Sequence, residues 1–72
     1  MRHIYSKRYQ NFLRRLRKAR KEADMTQAEV AAALKKPQSF VSKCESGERR
    51  VDIIELYDFA MIYGKPLDFF LS

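Results

Sequence analysis

Apolar residues recur along this chain at three- and four-residue steps and never alternate for long, so its elements read as helices rather than strands. Tyr9, Phe12, Leu13, Leu16 and Ala23 form one apolar stripe on an otherwise basic cylinder, predicting a first helix from Ser6 or Lys7 to Ala23. Arg20 falls on that stripe, where a charge either snorkels outward or meets a buried partner. A second helix has a marked start. Thr26 as N-cap and Glu29 three residues later form a capping box, and Met25 is placed to staple onto Val30. Ala28 and Ala31 to Ala33 keep this helix thin, so that neighbours can approach closely. Asp52 with Glu55, and Val51 with Leu56, repeat both signatures ahead of a helix from Ile53 to Tyr63.

Glycine and proline are scarce, two of each, and they fall where helices need punctuation. Pro37 and Pro66 stand where helices begin, while Gly47 and Gly64 follow the segments 38–46 and 53–63. Only Leu34, Lys35 and Lys36 remain for a turn after the second helix. The third helix runs from Pro37 or Gln38 to Ser46; it turns Phe40, Val41 and Cys44 inward and leaves Gln38, Ser39, Ser42 and Lys43 on one outer side. A short last helix, Pro66 to Leu71, adds Leu67, Phe69 and Phe70. The expected fold is all-α, a compact bundle of about five helices. Two short helices joined by a tight turn, the second with a polar outer face, make the layout of a helix-turn-helix, whose second helix enters the major groove of DNA.

A chain of 72 residues suffices for one small domain that buries roughly 60% of its unfolded surface. The expected division is a tail over residues 1–6 and one domain over residues 7–72, with His3 solvated in the tail. One cysteine excludes an internal disulfide, and one histidine beside it cannot complete a four-ligand zinc site. No nucleophile–base set, phosphate-cradling glycine loop or metal cluster is found, so no catalysis, metal, cofactor or small-molecule substrate is expected. No apolar stretch approaches the ~18 residues of a membrane span, and no signal-peptide h-region opens the chain. No membrane partner and a cytoplasmic, nucleoid-associated location are therefore expected.

The net charge of +6 is uneven: residues 1–21 hold nine Lys/Arg and no acid, whereas residues 52–72 hold four acids against Lys65. Such polarity suits one face toward a polyanion and another toward a protein partner. The helix from Ile53 to Tyr63 carries two apolar lines, Ile53, Leu56, Ala60 and Tyr63 on one and Ile54, Tyr57 and Met61 on the other. Five of the nine aromatic residues lie in the last 16 positions. Tyr57, Met61, Leu67, Phe69 and Phe70 are therefore the candidate surface for a homodimer or another protein partner.

The strings LRRLRKARKEA, MTQAEVAAAL, PQSFVSKCESGERR and YGKPLDFF, spread from Leu13 to Leu71, resemble the Cro/cI-type (Xre) helix-turn-helix domain of phage and bacterial regulators. The resemblance implies a lambda-repressor-like fold, with the motif in the second and third helices. It also implies a regulator, a repressor in the leading reading, that binds an inverted-repeat operator in double-stranded DNA as a homodimer. By the same resemblance Gln38, Ser39 and Lys43 read bases, with Ser42 beside them on the exposed side. Thr26, Gln27, Ser46, Arg49 and Arg50 face phosphates, and Gln27 also braces Gln38; Lys36, beside Lys35 in the turn, is expected to add a phosphate contact of its own. Arg20 and Glu45 match a buried salt bridge between the first and third helices. Three positions depart from the family pattern. Lys35 stands where glycine is favoured, so the turn is either strained by about 1 kcal/mol or differently shaped. Asp24 also stands where glycine is frequent, and Cys44 where a larger apolar residue is common. An antitoxin or adaptor gripping a partner through the apolar C-terminal helices is the alternative function. Non-specific nucleic-acid binding through the basic N-terminal segment is a third.

Overall fold

The computed structural model describes residues 6–72. They form α1 (Lys7–Glu22), α2 (Gln27–Leu34), α3 (Gln38–Ser46), α4 (Ile53–Tyr63) and a closing 3₁₀ turn (Leu67–Phe70), and no strand occurs among the described residues. The expected fifth helix is thus a single tighter turn. Of the expected tail, residues 1–5 with His3 lie outside the described residues, and Ser6 belongs to the helix: its hydroxyl accepts the Tyr9 N–H at 3.1 Å as the α1 N-cap.

Both expected capping boxes form. Thr26 Oγ1 accepts the Glu29 N–H at 3.1 Å while Glu29 accepts the Thr26 N–H at 2.9 Å, and Asp52 and Glu55 make the same exchange at 2.8 and 3.0 Å. Each box satisfies two of the backbone donors that a helix start leaves open. The far end of α2 keeps the shape that a glycine would take. Lys35 is left-handed at φ 59°, its N–H bonding back to Ala31 and Ala32, and Asp24 adopts φ 58° between α1 and α2. An L-residue pays about 1–2 kcal/mol for that conformation, and glycine returns about 0.4–1 kcal/mol through its looser unfolded state. Lys35→Gly is therefore expected to gain about 0.5–1 kcal/mol, visible as a thermal midpoint roughly 2–8 °C higher; a lower midpoint would show that the turn is unstrained.

The core is closed by Leu16, Val30, Val41, Cys44, Phe59 and Phe70, none exposed. Around them α1 meets α3, α4 and the 3₁₀ turn, while α2 packs on α3 and α4. Phe59 lies near Phe40 and Tyr63, with ring centroids 6.4 and 6.0 Å away. The inward line of α4 is Leu56, Phe59, Ala60 and Tyr63. Ile53, expected on it, sits at the first helical position and is 65% exposed. In α2 Val30 and Ala31 are buried and Leu34 packs partly against the core, while Ala28, Ala32 and Ala33 are on the surface.

Phe70 also corrects the expectation that it serves an interface. Extended Pro66 redirects the chain, and the 3₁₀ turn brings Phe70 against α1, 6.5 Å from the Phe12 ring and fully buried. Asn11 and Arg15 hold the end of this turn by donating to the Ser72 carbonyl at 2.8 Å and to its hydroxyl at 3.1 Å. Phe69 is half-buried between the Arg15 guanidinium and the Lys65 ammonium, at 4.7 and 4.6 Å from its ring centre. The interface role expected of Phe69 is left with the ring surface that these two cations do not cover.

Candidate nucleic-acid interface

One face of α3 is polar because the other is spent on the core. Val41, Cys44 and Glu45 are buried, so the 100° step of the helix turns Gln38, Ser39, Ser42 and Lys43 outward together, and all four are exposed. Ser46 continues the face at its C-terminal end, but its hydroxyl is engaged: it donates to the Lys43 carbonyl at 3.2 Å and accepts the Glu48 N–H at 3.2 Å. Thr26 is exposed at the α2 N-terminus with its hydroxyl committed to the cap, and Lys36 is exposed in the turn with its ammonium 5.2 Å from the Phe40 ring centre. Extended Pro37 stands as the N-cap of α3 and offers no side-chain cap.

Behind this face sits a buried carboxylate. Glu45 is 2% exposed and accepts from Arg20 twice, Nε to Oε2 at 2.7 Å and Nη2 to Oε1 at 3.1 Å. Gln27 Nε2 donates to the same Oε1 at 3.0 Å, Arg20 Nη1 reaches the Met25 carbonyl at 3.1 Å, and Arg17 Nη1 the Glu45 carbonyl at 2.8 Å. One acid thereby joins α1, the start of α2 and α3. The expected ion pair of Arg20 and Glu45 is present, and Gln27 adds a contact that was not expected, its amide nitrogen bracing Glu45. A carboxylate only accepts, so it fixes which end of the amide faces inward and leaves the Gln27 carbonyl for the surface.

The loop between α3 and α4 is organised by stacking. Arg49 donates to both oxygens of Glu55 at 2.7 Å and lies 4.8 Å from the Phe40 ring centre. Arg50 lies 4.4 Å from the centre of the Tyr9 ring, whose hydroxyl accepts the Val51 N–H at 3.1 Å. Arg49, expected to reach phosphates, thus has a carboxylate partner in its own domain, which sequence reading assigned only to the α4 cap. Ile54, Tyr57 and Met61 stand 67%, 52% and 65% exposed along one line of α4, with Leu67 at 38%.

A solved XRE-family like protein from Pseudomonas syringae pv. tomato str. DC3000 is 51% identical, aligns over 90% of this chain and 79% of its own, and superposes with a TM-score of 0.83. A family model described as Helix-turn-helix matches residues 16–70. The chain belongs to the Xre family of helix-turn-helix proteins. No curated protein matches it. As a member of that family it is a DNA-binding regulator, and the α2–turn–α3 unit with Gln38 at the head of α3 is its helix-turn-helix.

Within this Xre-family domain the ion pairs hold their charges firmly. The hydrogen bonds of Glu45 raise the Arg20 pKa, Lys65 and then Lys18 lower that of Glu22, and burial pushes the Cys44 thiol and the Tyr63 phenol up. Cys44 is consequently a neutral, buried filler of the core. The two bonds from Arg49 hold the Glu55 carboxyl below the usual carboxylate range. Stability from that pair is complete above the unfolded carboxylate pKa of about 4.3 and is lost as pH falls through the lower folded value. Glu55→Gln keeps an acceptor for the Asp52 N–H but not the charge. Its thermal midpoint is expected to lie below the parent's near neutral pH, the gap closing as the pH drops below about 4.3 and through the lower folded value. A gap independent of pH would exclude the ion pair as its cause.

Proposed function

We propose that this Xre-family domain represses transcription by binding an inverted-repeat operator as a homodimer, α3 lying in the major groove. The observation that supports this most directly is the set of four exposed polar side chains on α3, backed by a buried Glu45 that ties their helix to α1 and α2. A Gln38 amide can bond adenine N6 and N7 together, and a Lys43 ammonium can donate to guanine N7 and O6, with Ser39 and Ser42 adaptable to either kind of edge. Thr26, Gln27, Lys36, Ser46 and Arg50 border this face and set its register on phosphates, aided by backbone N–H groups at the start of α2. Arg49 joins them through the guanidinium edge not taken by Glu55. The working location is the nucleoid in the cytoplasm.

A two-fold dimer presents recognition helices about 34 Å apart. The domain measures 31 × 24 × 20 Å, a size at which equivalent helices of two abutting copies can stand that far apart. Their contact is assigned to the α4 line of Ile54, Tyr57 and Met61, with Leu67 and the open surface of Phe69 at its edge. The same line supports a second reading, an antitoxin-like or adaptor contact with another protein. Selection from random-sequence DNA tests the main reading: an enriched inverted repeat supports it, and recovery of no preferred sequence overturns it. Sedimentation equilibrium tests the contact. The parent is expected to be dimeric at micromolar concentration and Tyr57→Asp with Met61→Asp monomeric, whereas a parent that stays monomeric even on operator DNA would leave the line to another partner.

A further inference from the structure

The outer side of α1 carries positive charge that the base-reading face does not use. Arg14, Arg17, Lys18 and Lys21, with Glu22, line a shallow concavity of about 530 Å³. Their spacing of three, four and seven residues places them along one helix face. The acids nearby are already engaged: Glu22 holds Lys65 at 2.6 Å and Lys18 at 3.2 Å, and Glu45 holds Arg20. Arg14 and Lys21 are exposed and have no ion pair among the described residues.

We propose that this stripe grips the DNA backbone on the flank of each half-site, outside the base pairs that α3 reads. The proposal rests on the operator-binding reading above. Continuity carries it: Arg17 bonds the Glu45 carbonyl on α3 at 2.8 Å, and one turn onward Arg20 and Gln27 meet on the Glu45 carboxylate. The inner edge of the stripe is therefore joined, through a hydrogen-bonded knot, to the buried side of the reading helix and to Gln27 at the start of α2. Length agrees with this occupant. Seven residues from Arg14 to Lys21 cover about 10.5 Å of helix, and one DNA strand presents a phosphate per about 3.4 Å of axis, so about three phosphates lie within reach.

The test pairs the parent with Arg14→Gln/Lys21→Gln; Arg17 is left intact because it touches α3. Both replaced side chains are exposed, and unchanged thermal melting verifies the fold. Affinity is titrated against salt on three duplexes: the selected operator with flanking base pairs, the same operator trimmed to the base-read positions, and a scrambled sequence. On the flanked operator the log–log salt slope of the variant is expected to be shallower by about 1.8, two phosphates at about 0.9 each. On the trimmed duplex the slopes should coincide. Equal slopes on the flanked operator, with the parent still preferring it to scrambled DNA, overturn the stripe and leave the operator reading standing. Equal slopes joined to a variant-sensitive affinity for polyglutamate assign the stripe to an acidic protein instead. A slope difference that survives trimming places the cations inside the half-site and overturns the flank. A parent without sequence preference removes the operator reading and the flank with it.

Discussion

Glu45→Ala is expected to melt at least about 12 °C below the parent or to be largely unfolded at room temperature. Removing a buried carboxylate strands the Arg20 guanidinium, whose side chain is only 15% exposed, and losing one partner of a buried pair costs roughly 3–5 kcal/mol. A domain of 72 residues holds roughly 4–11 kcal/mol in all, and each kcal/mol moves its midpoint by about 4–8 °C. The Gln27 amide loses its acceptor in the same stroke. The bond from Arg17 to the Glu45 carbonyl is main-chain on the acceptor side and survives the substitution, so the loss reports the side chain and not that bond. Arg20→Met with Glu45→Leu removes both charges and should return to within about 1–2 kcal/mol of the parent, because no buried charge is left unpaired. Thermal melts followed by circular dichroism decide the matter. If the single variant melts with the parent, the pair is ornamental; if the double variant is as poor as the single, shape rather than charge is at stake.

The rescued double variant separates two tasks that the fold combines in one residue. Glu45 stabilises the bundle, and through Gln27 it also sets the start of α2 against the side of α3 that carries Gln38. With the charges replaced by apolar groups, the bundle can recover while Gln27 has lost the acceptor that orients it. Stability restored without operator affinity would therefore show that the knot also positions the reading surface.

Much of this architecture was legible because it is local. The capping boxes at Thr26 and Asp52 each involve residues three apart, and they placed the starts of α2 and α4 where these helices begin. The outward set on α3 follows from helical periodicity, and Arg20 stood out as a charge on an apolar stripe. What could not be read was which long-range partner each polar group would take. Gln27 and Glu45 are 18 residues apart in sequence, and only the three-dimensional meeting of α1, α2 and α3 delivers the amide to the carboxylate. Glu55 was recognised as a cap, yet its second task, holding Arg49, depends on the loop folding back over Phe40. Phe70 misled for a physical reason: aromatic clustering says that apolar area must be buried, not whether it is buried within the chain or against another. The left-handed Lys35 was legible as a conflict between residue and family pattern, but not its resolution, since a turn can change shape or accept strain.

Gln38→Ala with Lys43→Ala carries the largest functional consequence. Each bidentate contact to a base edge is worth about 1–3 kcal/mol of discrimination, so the pair is expected to lower operator affinity by roughly 30-fold to 10⁴-fold at fixed salt. Both side chains are exposed and touch nothing in the core, so thermal melting should stay close to the parent's. Affinity for scrambled DNA, carried by phosphate contacts, should fall far less. The single variants sharpen the result. Gln38→Ala should relax selection at one position of each half-site and Lys43→Ala at another, the losses summing if the contacts are independent. A repeat of the random-sequence selection with each variant measures this directly. An unchanged consensus with unchanged affinity would remove base reading from these residues. Uniform weakening on every sequence would make them phosphate contacts. A consensus that changes only at the positions facing Gln38 and Lys43 is the signature of a helix that reads bases.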